Sequence, residues 1–512
     1  MSSVTQTSSP AYGLNKQLSI NTPEPPVPMA KAWAASYPSK SSPFHVKNAS
    51  EPLQPLLNLA QGVPGHAPQK RLLDCMDEER NAKPMETHGY GGVFGDEQLR
   101  KALAADIVKR YGGDVSSNEV AITAGANLAA AVTFHSLASP GEAIVLPTPW
   151  YFNHQMTLAS LGINVIPLST KAPSFIPQPE ALKELLDKHN GTQGTKSRIK
   201  AVVLVTPNNP TGSIYPASLL REFAEICRSN NIALILDETY RDFLLEGDGS
   251  AKATANESSK QRPLAKAHDL FELSGKENWR DCVISIHSFS KSYAIPGHRL
   301  GAIIAHPSLL ISEEVDQDGI KRTRFGSFAK SLDNMQICPP RTDTQRAVAR
   351  CIQDEEHQQW RLDIANDLAQ RRKTFFSSLE TAITFEDVKR QLKIDGQAEL
   401  IASLESLKDI SSNKSVSPKE LGWEDLSAGA YYAYVRHPFE STPSELVARG
   451  LAALVGIVVL PGSFFRPQEE AQDDRDLRFS IANVESAKLE TLAARLILFT
   501  YLWRVQKAGW GL

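Results

Sequence analysis

The sequence predicts an α/β protein with a large domain, built on a mostly parallel sheet covered by helices on both faces, and a smaller α+β domain. Three observations carry this prediction. Short apolar runs end in turn residues: VAIT (120–123), EAIVLP (142–147), AVVLVTP (201–207), IALILDE (232–238) and VISIHSFS (283–290). Amphipathic stretches of helical length separate them, as in DEQLRKALAADIVKRY (96–111) and PASLLREFAEICRSNN (216–231). Continuous rather than alternating apolar strands are those of a sheet buried on both faces. After about residue 355 the rhythm changes to one long helical pattern followed by mixed strand-like segments, AYYAYVRH (430–437) and IVVLPGSFF (457–465).

The elements follow in chain order. Residues 1–45 are rich in Ser, Thr and Pro and poor in large apolar side chains, and are read as a disordered or docked arm. Residues 46–85 form an N-terminal segment assigned to the small domain, 86–355 the large domain, and 356–512 the small domain. Helix 96–111 stops at Gly112-Gly113; strand 120–123 leads into an alanine-rich helix, GANLAAAVTFHSLA (125–138). Residues 247–280 and about 385–425 are polar and are read as surface insertions.

Bulk properties narrow the function. The chain has 512 residues, 41% of them hydrophobic, and a net charge of −3, with no basic block to follow a phosphate backbone. A small metabolite is the expected partner, not nucleic acid. The five cysteines lack CxxC spacing, which argues against a disulfide framework or a metal site and suits a reducing compartment. No apolar run is long enough for a membrane span. The first residues lack the apolar core of a secretory signal; their Ser/Thr content leaves an organellar transit reading open, but no arginine precedes Arg71, so the expectation is cytoplasmic.

Chemistry concentrates in SFSKSYAIPGHRLG (288–301). Most lysines are solvated surface charges. Lys291 instead follows a strand directly, at the carboxyl end of a sheet where ligands of open α/β folds bind, and a partly desolvated amine there can condense with an aldehyde. Ser288, Ser290 and Arg299 add hydroxyls and a planar fork suited to a phosphate. Asp237 ends an apolar strand, where it is either a turn acid or a buried ionic partner. VTPNNPTG (205–212) is a turn signal by itself. Gly125 precedes a helix whose N-terminal amides, at Ala126 and Asn127, can bind an anion.

Together these segments closely resemble the class I/II aminotransferases, pyridoxal 5'-phosphate (PLP) enzymes of fold type I, including aspartate aminotransferases. The resemblance runs over roughly 60–485. It implies a seven-stranded, mostly parallel sheet and a Schiff base between PLP and Lys291. It assigns Asp237 to the pyridine nitrogen, Asn209 and Tyr240 to the ring's phenolic oxygen, and Tyr151 to the ring face. His154 would support Asp237, while Gly125, Ala126, Asn127, Ser288 and Arg299 would hold the phosphate. Tyr90 would reach the phosphate of a partner subunit, implying a homodimer with shared sites. Arg478 would pair with the substrate α-carboxylate, beside Gly62 and Asn209. The sequence departs from the aspartate enzymes at Ala124 and Ala126, where those carry hydroxyl residues.

The implied function is ping-pong exchange of an amino group between an L-amino acid, aromatic or large and apolar by the Trp150 and Tyr151 pair, and a 2-oxo acid. A lyase resembling the aminocyclopropane-carboxylate synthases, or a decarboxylase, would use the same residues. A non-catalytic regulator would need a DNA-binding head, and the N-terminal 45 residues show no helix-turn-helix pattern.

Overall fold

The computed structural model describes residues 24–45, 51–191, 197–248, 261–315, 318–407, 410 and 414–505. The main sheet has seven strands: β1 Val120–Thr123, β2 Ala143–Thr148, β3 Asn164–Ser169, β4 Ile199–Val205, β5 Ala233–Asp237, β6 Val283–Ser288 and β7 Gly301–Ile304. Their spatial order is β1-β7-β6-β5-β4-β2-β3, and only β7 runs antiparallel to its neighbours. This is the α/β, mostly parallel architecture the sequence predicts.

Alternation along each strand divides the core between the two faces. Val202 and Leu204 of β4 join Leu99, Leu103 and Ile107 of helix Glu97–Tyr111 and Phe223 of helix Ala217–Ser229 on one side. Ala201, Val203 and Val205 meet Val132 and Phe134 of helix Ala126–Leu137 and Leu158 of helix Phe152–Ser160 on the other. Helix Glu97–Tyr111 begins where Asp96 accepts the Gln98 N–H at 2.9 Å and ends at Gly112, whose φ of +80° suits glycine.

Two strands of the main sheet escaped the sequence reading. In β3, Pro167 interrupts the apolar run, which is tolerated because β3 lies at the sheet edge. β7 has only four residues, directly behind the Arg299 turn, too few to show a pattern.

The C-terminal part has its own core. Strands Glu424–Gly429, Tyr432–Arg436, Asp476–Ser480 and Leu460–Pro461 form an antiparallel sheet in that order, packed with helices Glu355–Glu380, Ser444–Val455 and Leu492–Val505. Leu57–Asn58 pairs in parallel with Ile457–Val458, tying this stretch to the C-terminal part, whereas helix Lys70–Ala82 buries Leu72, Cys75 and Met76 in the large-domain core, so the 46–85 segment is divided between the two.

Over its described residues the arm takes the docked one of its two alternatives, and two further segments differ from their sequence reading. The described part of the arm, 24–45, contains helix Pro26–Ala35, anchored by buried Ala30 and by the Trp33–Phe464 ring contact at 6.0 Å; residues 1–23 lie outside the described residues. In the 247–280 insertion, Leu270, Phe271, Trp279 and His268 are buried against the large-domain core, although 249–260 lie outside the described residues. The 385–425 stretch holds helices Phe385–Leu392 and Ala398–Glu405; Phe385, Val388 and Leu392 recur at i, i+3 and i+7, and with Leu404 and Trp423 they enter the C-terminal core. Composition misleads there because one helical stripe is enough to bury a mostly polar segment.

Candidate active site

The carboxyl ends of five strands converge. β1 leads to Gly125–Asn127, β2 to Tyr151, β4 to Asn209, β5 ends in Asp237 and β6 runs through Ser288 to Lys291. Strand ends at one edge of a parallel sheet bring residues distant in sequence to one crevice. Ala126, Asn127, Tyr151, Asn209, Asp237, Tyr240, Ser288, Lys291, Arg299, Gly62 and Arg478 all line one cavity of about 400 Å³.

Lys291 sits in helix Phe289–Ser292, which starts where the Ser288 hydroxyl accepts the Ser290 N–H at 3.3 Å. Its Nζ donates to the Gly62 carbonyl. Burial, reinforced by the positive charges of Arg478 and Arg299, lowers its pKa from 10.5 to about 8. The amine is thus poised to be a nucleophile and base near neutral pH.

Asp237 is the buried acid of the cavity. Burial opposes its ionisation, but His154 Nε2 at 3.1 Å and the Thr239 hydroxyl and N–H at 2.7 and 3.0 Å outweigh it, holding the carboxyl below its usual range. A carboxylate so held carries a stable negative charge into the site.

Arg478 comes from the C-terminal sheet. One guanidinium nitrogen donates to Asn209 Oδ1 at 2.9 Å and another to the Ala60 carbonyl. The group lies between the Tyr432 and Phe465 rings, 4.6 and 5.2 Å from their centroids, and its buried Nε has no partner among the described residues. A planar cation held this way is suited to a carboxylate.

Residues 54–496 match the family described as aminotransferase class I and II. The chain belongs to this family. The aminotransferase is 25% identical over 443 residues to the aromatic aminotransferase of Arabidopsis thaliana, covering 86% of this chain and 88% of the relative. It is 31% identical over 229 residues to an aspartate aminotransferase of Pyrococcus horikoshii, covering 44% of this chain and 50% of that one. Among solved structures, the aspartate aminotransferase of Thermus thermophilus superposes with a TM-score of 0.65 at 18% identity, over 96% of this chain and 99% of that chain. At that identity the likeness speaks for the fold. Amino-group transfer is therefore the activity of this enzyme, and the lyase and decarboxylase alternatives gain no support.

The remaining predicted site residues of the aminotransferase, His154, Gly125 and Tyr90, fall into three positions. His154 stands behind Asp237, outside the cavity wall. Gly125, with φ +85°, backs the wall at Arg299, whose guanidinium occupies the space a Cβ would need. Tyr90 is 86% exposed and lies in a separate groove with Glu86 and Arg346, so this chain's own cavity does not include it. Trp150 is packed in the core beside β2.

Other cavity residues were not singled out from the sequence. The Tyr432 hydroxyl lies 2.6 Å from that of Tyr240, and both phenols are pushed up in pKa by burial. Tyr432 stands in a tyrosine run, 431–434, whose alternation implies a strand without saying which face meets the site. Thr239 was hidden inside the motif that carries Asp237 and Tyr240. Pro25–Pro28 was hidden in an arm whose composition suggests no fixed structure.

Proposed function

We propose that the enzyme binds PLP on Lys291 and exchanges the amino group of an L-amino acid with a 2-oxo acid in a ping-pong cycle. The observation that carries this is the meeting, in one cavity, of a lysine with pKa about 8, an acid held ionised and a buried arginine with an unpartnered Nε. The residues suit PLP. Lys291 offers the amine, Asp237 a charge for a protonated pyridine nitrogen, and Tyr151 a flat ring. Asn209 and Tyr240 supply polar side chains for the phenolic oxygen. Ser288, Arg299 and the first amides of helix Ala126–Leu137 suit a phosphate, with Gly125 leaving room for Arg299. PLP, when bound, supplies an electron sink for the charge left at the substrate Cα.

The protein's part is positioning and proton transfer. Arg478 binds the substrate α-carboxylate, with Asn209 and the backbone of Gly62 lining the pocket beside it. Lys291 Nζ takes the Cα proton as general base and, once protonated, would deliver it as general acid to the carbon of the cofactor's former aldehyde, C4′, so that it does not return to Cα. His154 keeps Asp237 ionised throughout. Lys291→Ala should abolish turnover, assayed as formation of the product oxo acid, while the folded protein still binds PLP. Ordinary turnover in that variant would overturn the assignment.

We extend the reading to a homodimer, because Tyr90 is exposed in a surface groove from which it can serve a second subunit. The five free cysteines support a reducing, cytosolic compartment.

A further inference from the structure

Arg466 does not line the cavity, yet it closes the loop that carries Phe465, between strands Leu460–Pro461 and Asp476–Ser480. Its Nε lies 2.8 Å from Asp474 Oδ1, and a terminal nitrogen donates to Asp476 Oδ2 at 2.9 Å. The other oxygen of Asp476 accepts the Arg436 Nε–H at 2.9 Å. The Arg466, Asp474 and Asp476 side chains are 13%, 2% and 1% exposed. One planar cation bridging two carboxylates thus ties the start of the loop to its end. The closure is tight, because a Cβ at Gly462 would run into the Asp474 carboxylate and the Tyr434 hydroxyl.

The closed loop holds the surroundings of Arg478. Alternation puts Asp476 and Arg478 on one face of strand Asp476–Ser480, where Arg436 stands opposite Asp476 and Tyr434 opposite Arg478. The ionic cluster and the substrate-binding arginine are therefore neighbours in one row. Phe465, buried next to Arg466 in the chain, sets its ring 5.2 Å from the Arg478 guanidinium. Its carbonyl accepts the Trp150 N–H at 2.8 Å, directly before Tyr151. Burial and the Asp476 charge push the Asp474 carboxyl above its usual range, and Arg466 opposes both. Buried ion pairs gain little net stability over apolar packing, but their contacts are directional. Here those contacts set where Phe465 lies.

We infer that Arg466 is a positioning residue for substrate binding: by bridging Asp474 and Asp476 it fixes the 462–475 loop, and through Phe465 it holds the Arg478 guanidinium in the orientation that meets the substrate α-carboxylate. The inference rests on the reading of Arg478 as the carboxylate-binding group and deepens it. Arg466 acts only through that arginine. A small misplacement of a binding group costs affinity even when the displaced residue lies outside the site.

The test uses the full-length holoenzyme and the amino acid that reacts fastest in a panel. Arg466→Lys keeps the charge but loses the fork that reaches two carboxylates. It should raise the amino-acid KM about 10-fold and weaken binding of 3-phenylpropionate, measured by calorimetry, by a similar factor, with kcat and PLP content within about 2-fold of the unaltered enzyme. Arg466→Met combined with Asp474→Asn, which removes one charge of each sign, should do the same. In an Arg478→Lys background, Arg466→Lys should add almost nothing, because both changes act on one interaction. Equal losses in the two backgrounds, or an ordinary KM in both Arg466 variants beside an impaired Arg478→Lys, would overturn the positioning role and leave the carboxylate reading intact. An ordinary KM in Arg478→Lys would overturn the carboxylate reading itself, and the positioning role with it.

Discussion

His154 Nε2 lies 3.1 Å from Asp237 Oδ2, with the two side chains 3% and 5% exposed. This contact decides whether Asp237 can stay charged in a buried site. His154→Ala should raise the Asp237 pKa and move the acid limb of the pH–rate profile upward, with kcat lower by about 10-fold for a loss of roughly 1.4 kcal/mol. Asp237→Ala, which removes the charge itself, should cost at least about 100-fold, on the scale of roughly 3 kcal/mol for breaking a buried ionic pair. Steady-state kinetics across pH check both, and an unmoved acid limb in His154→Ala would contradict the role given to the contact.

Lys291 must be neutral to attack an aldehyde. Because burial and the Arg478 and Arg299 charges place its pKa at about 8, the neutral fraction grows as pH rises and levels off above that value. The rate at which added PLP combines with the apoenzyme should therefore climb from about pH 6 and flatten by about pH 9. Stopped-flow absorbance gives the profile, and a midpoint near the ordinary lysine value would show that the local charges do not act on the amine.

Arg478→Lys keeps the charge and loses the planar fork that fits between Tyr432 and Phe465. The expected outcome is a rise in amino-acid KM of about 10- to 100-fold, the scale of roughly 1.5–3 kcal/mol for a hydrogen bond to a charged group, with PLP content unchanged. An unchanged KM would remove Arg478 from the substrate site.

At Gly125 the backbone has φ +85° and Arg299 fills the space beside it. Gly125→Ala should cost about 1–3 kcal/mol of stability from the positive-φ, extended backbone alone. It should also displace the Arg299 head and weaken PLP binding. Thermal unfolding of apoenzyme and PLP titration separate the two effects.

The Tyr240–Tyr432 hydroxyl pair, 2.6 Å apart, joins the two parts of the chain at the cavity. Tyr432→Phe leaves the Tyr240 hydroxyl without this partner and should destabilise the protein by about 0.5–1.5 kcal/mol. Denaturant unfolding measures it.

Much of the fold was legible because it is written in local periods. The continuous apolar runs 120–123, 201–205, 233–237 and 283–288 are strands of the sheet, and the amphipathic stretches 97–111 and 217–229 are helices that cover it. β3 was obscured by Pro167, permissible only because its neighbours leave it at the edge, and strand order is not a local property. The polar insertions misled for the same reason: whether Phe385 and Val388, or Leu270 and Trp279, meet a core depends on what faces them.

Local patterns were enough for the alternation of strands and helices and for placing Lys291, Asp237 and Asn209 at strand ends, since a chemical motif and its turn residues lie within a few positions of one another. Tertiary structure alone decided that Arg478 would meet Asn209, that Tyr432 would be the tyrosine of its run to meet Tyr240, and that a proline-rich arm would wall the cavity. The first two contacts join segments 192 or more residues apart, and only the packing of sheet faces and the burial of apolar surface selects which distant side chains share a space.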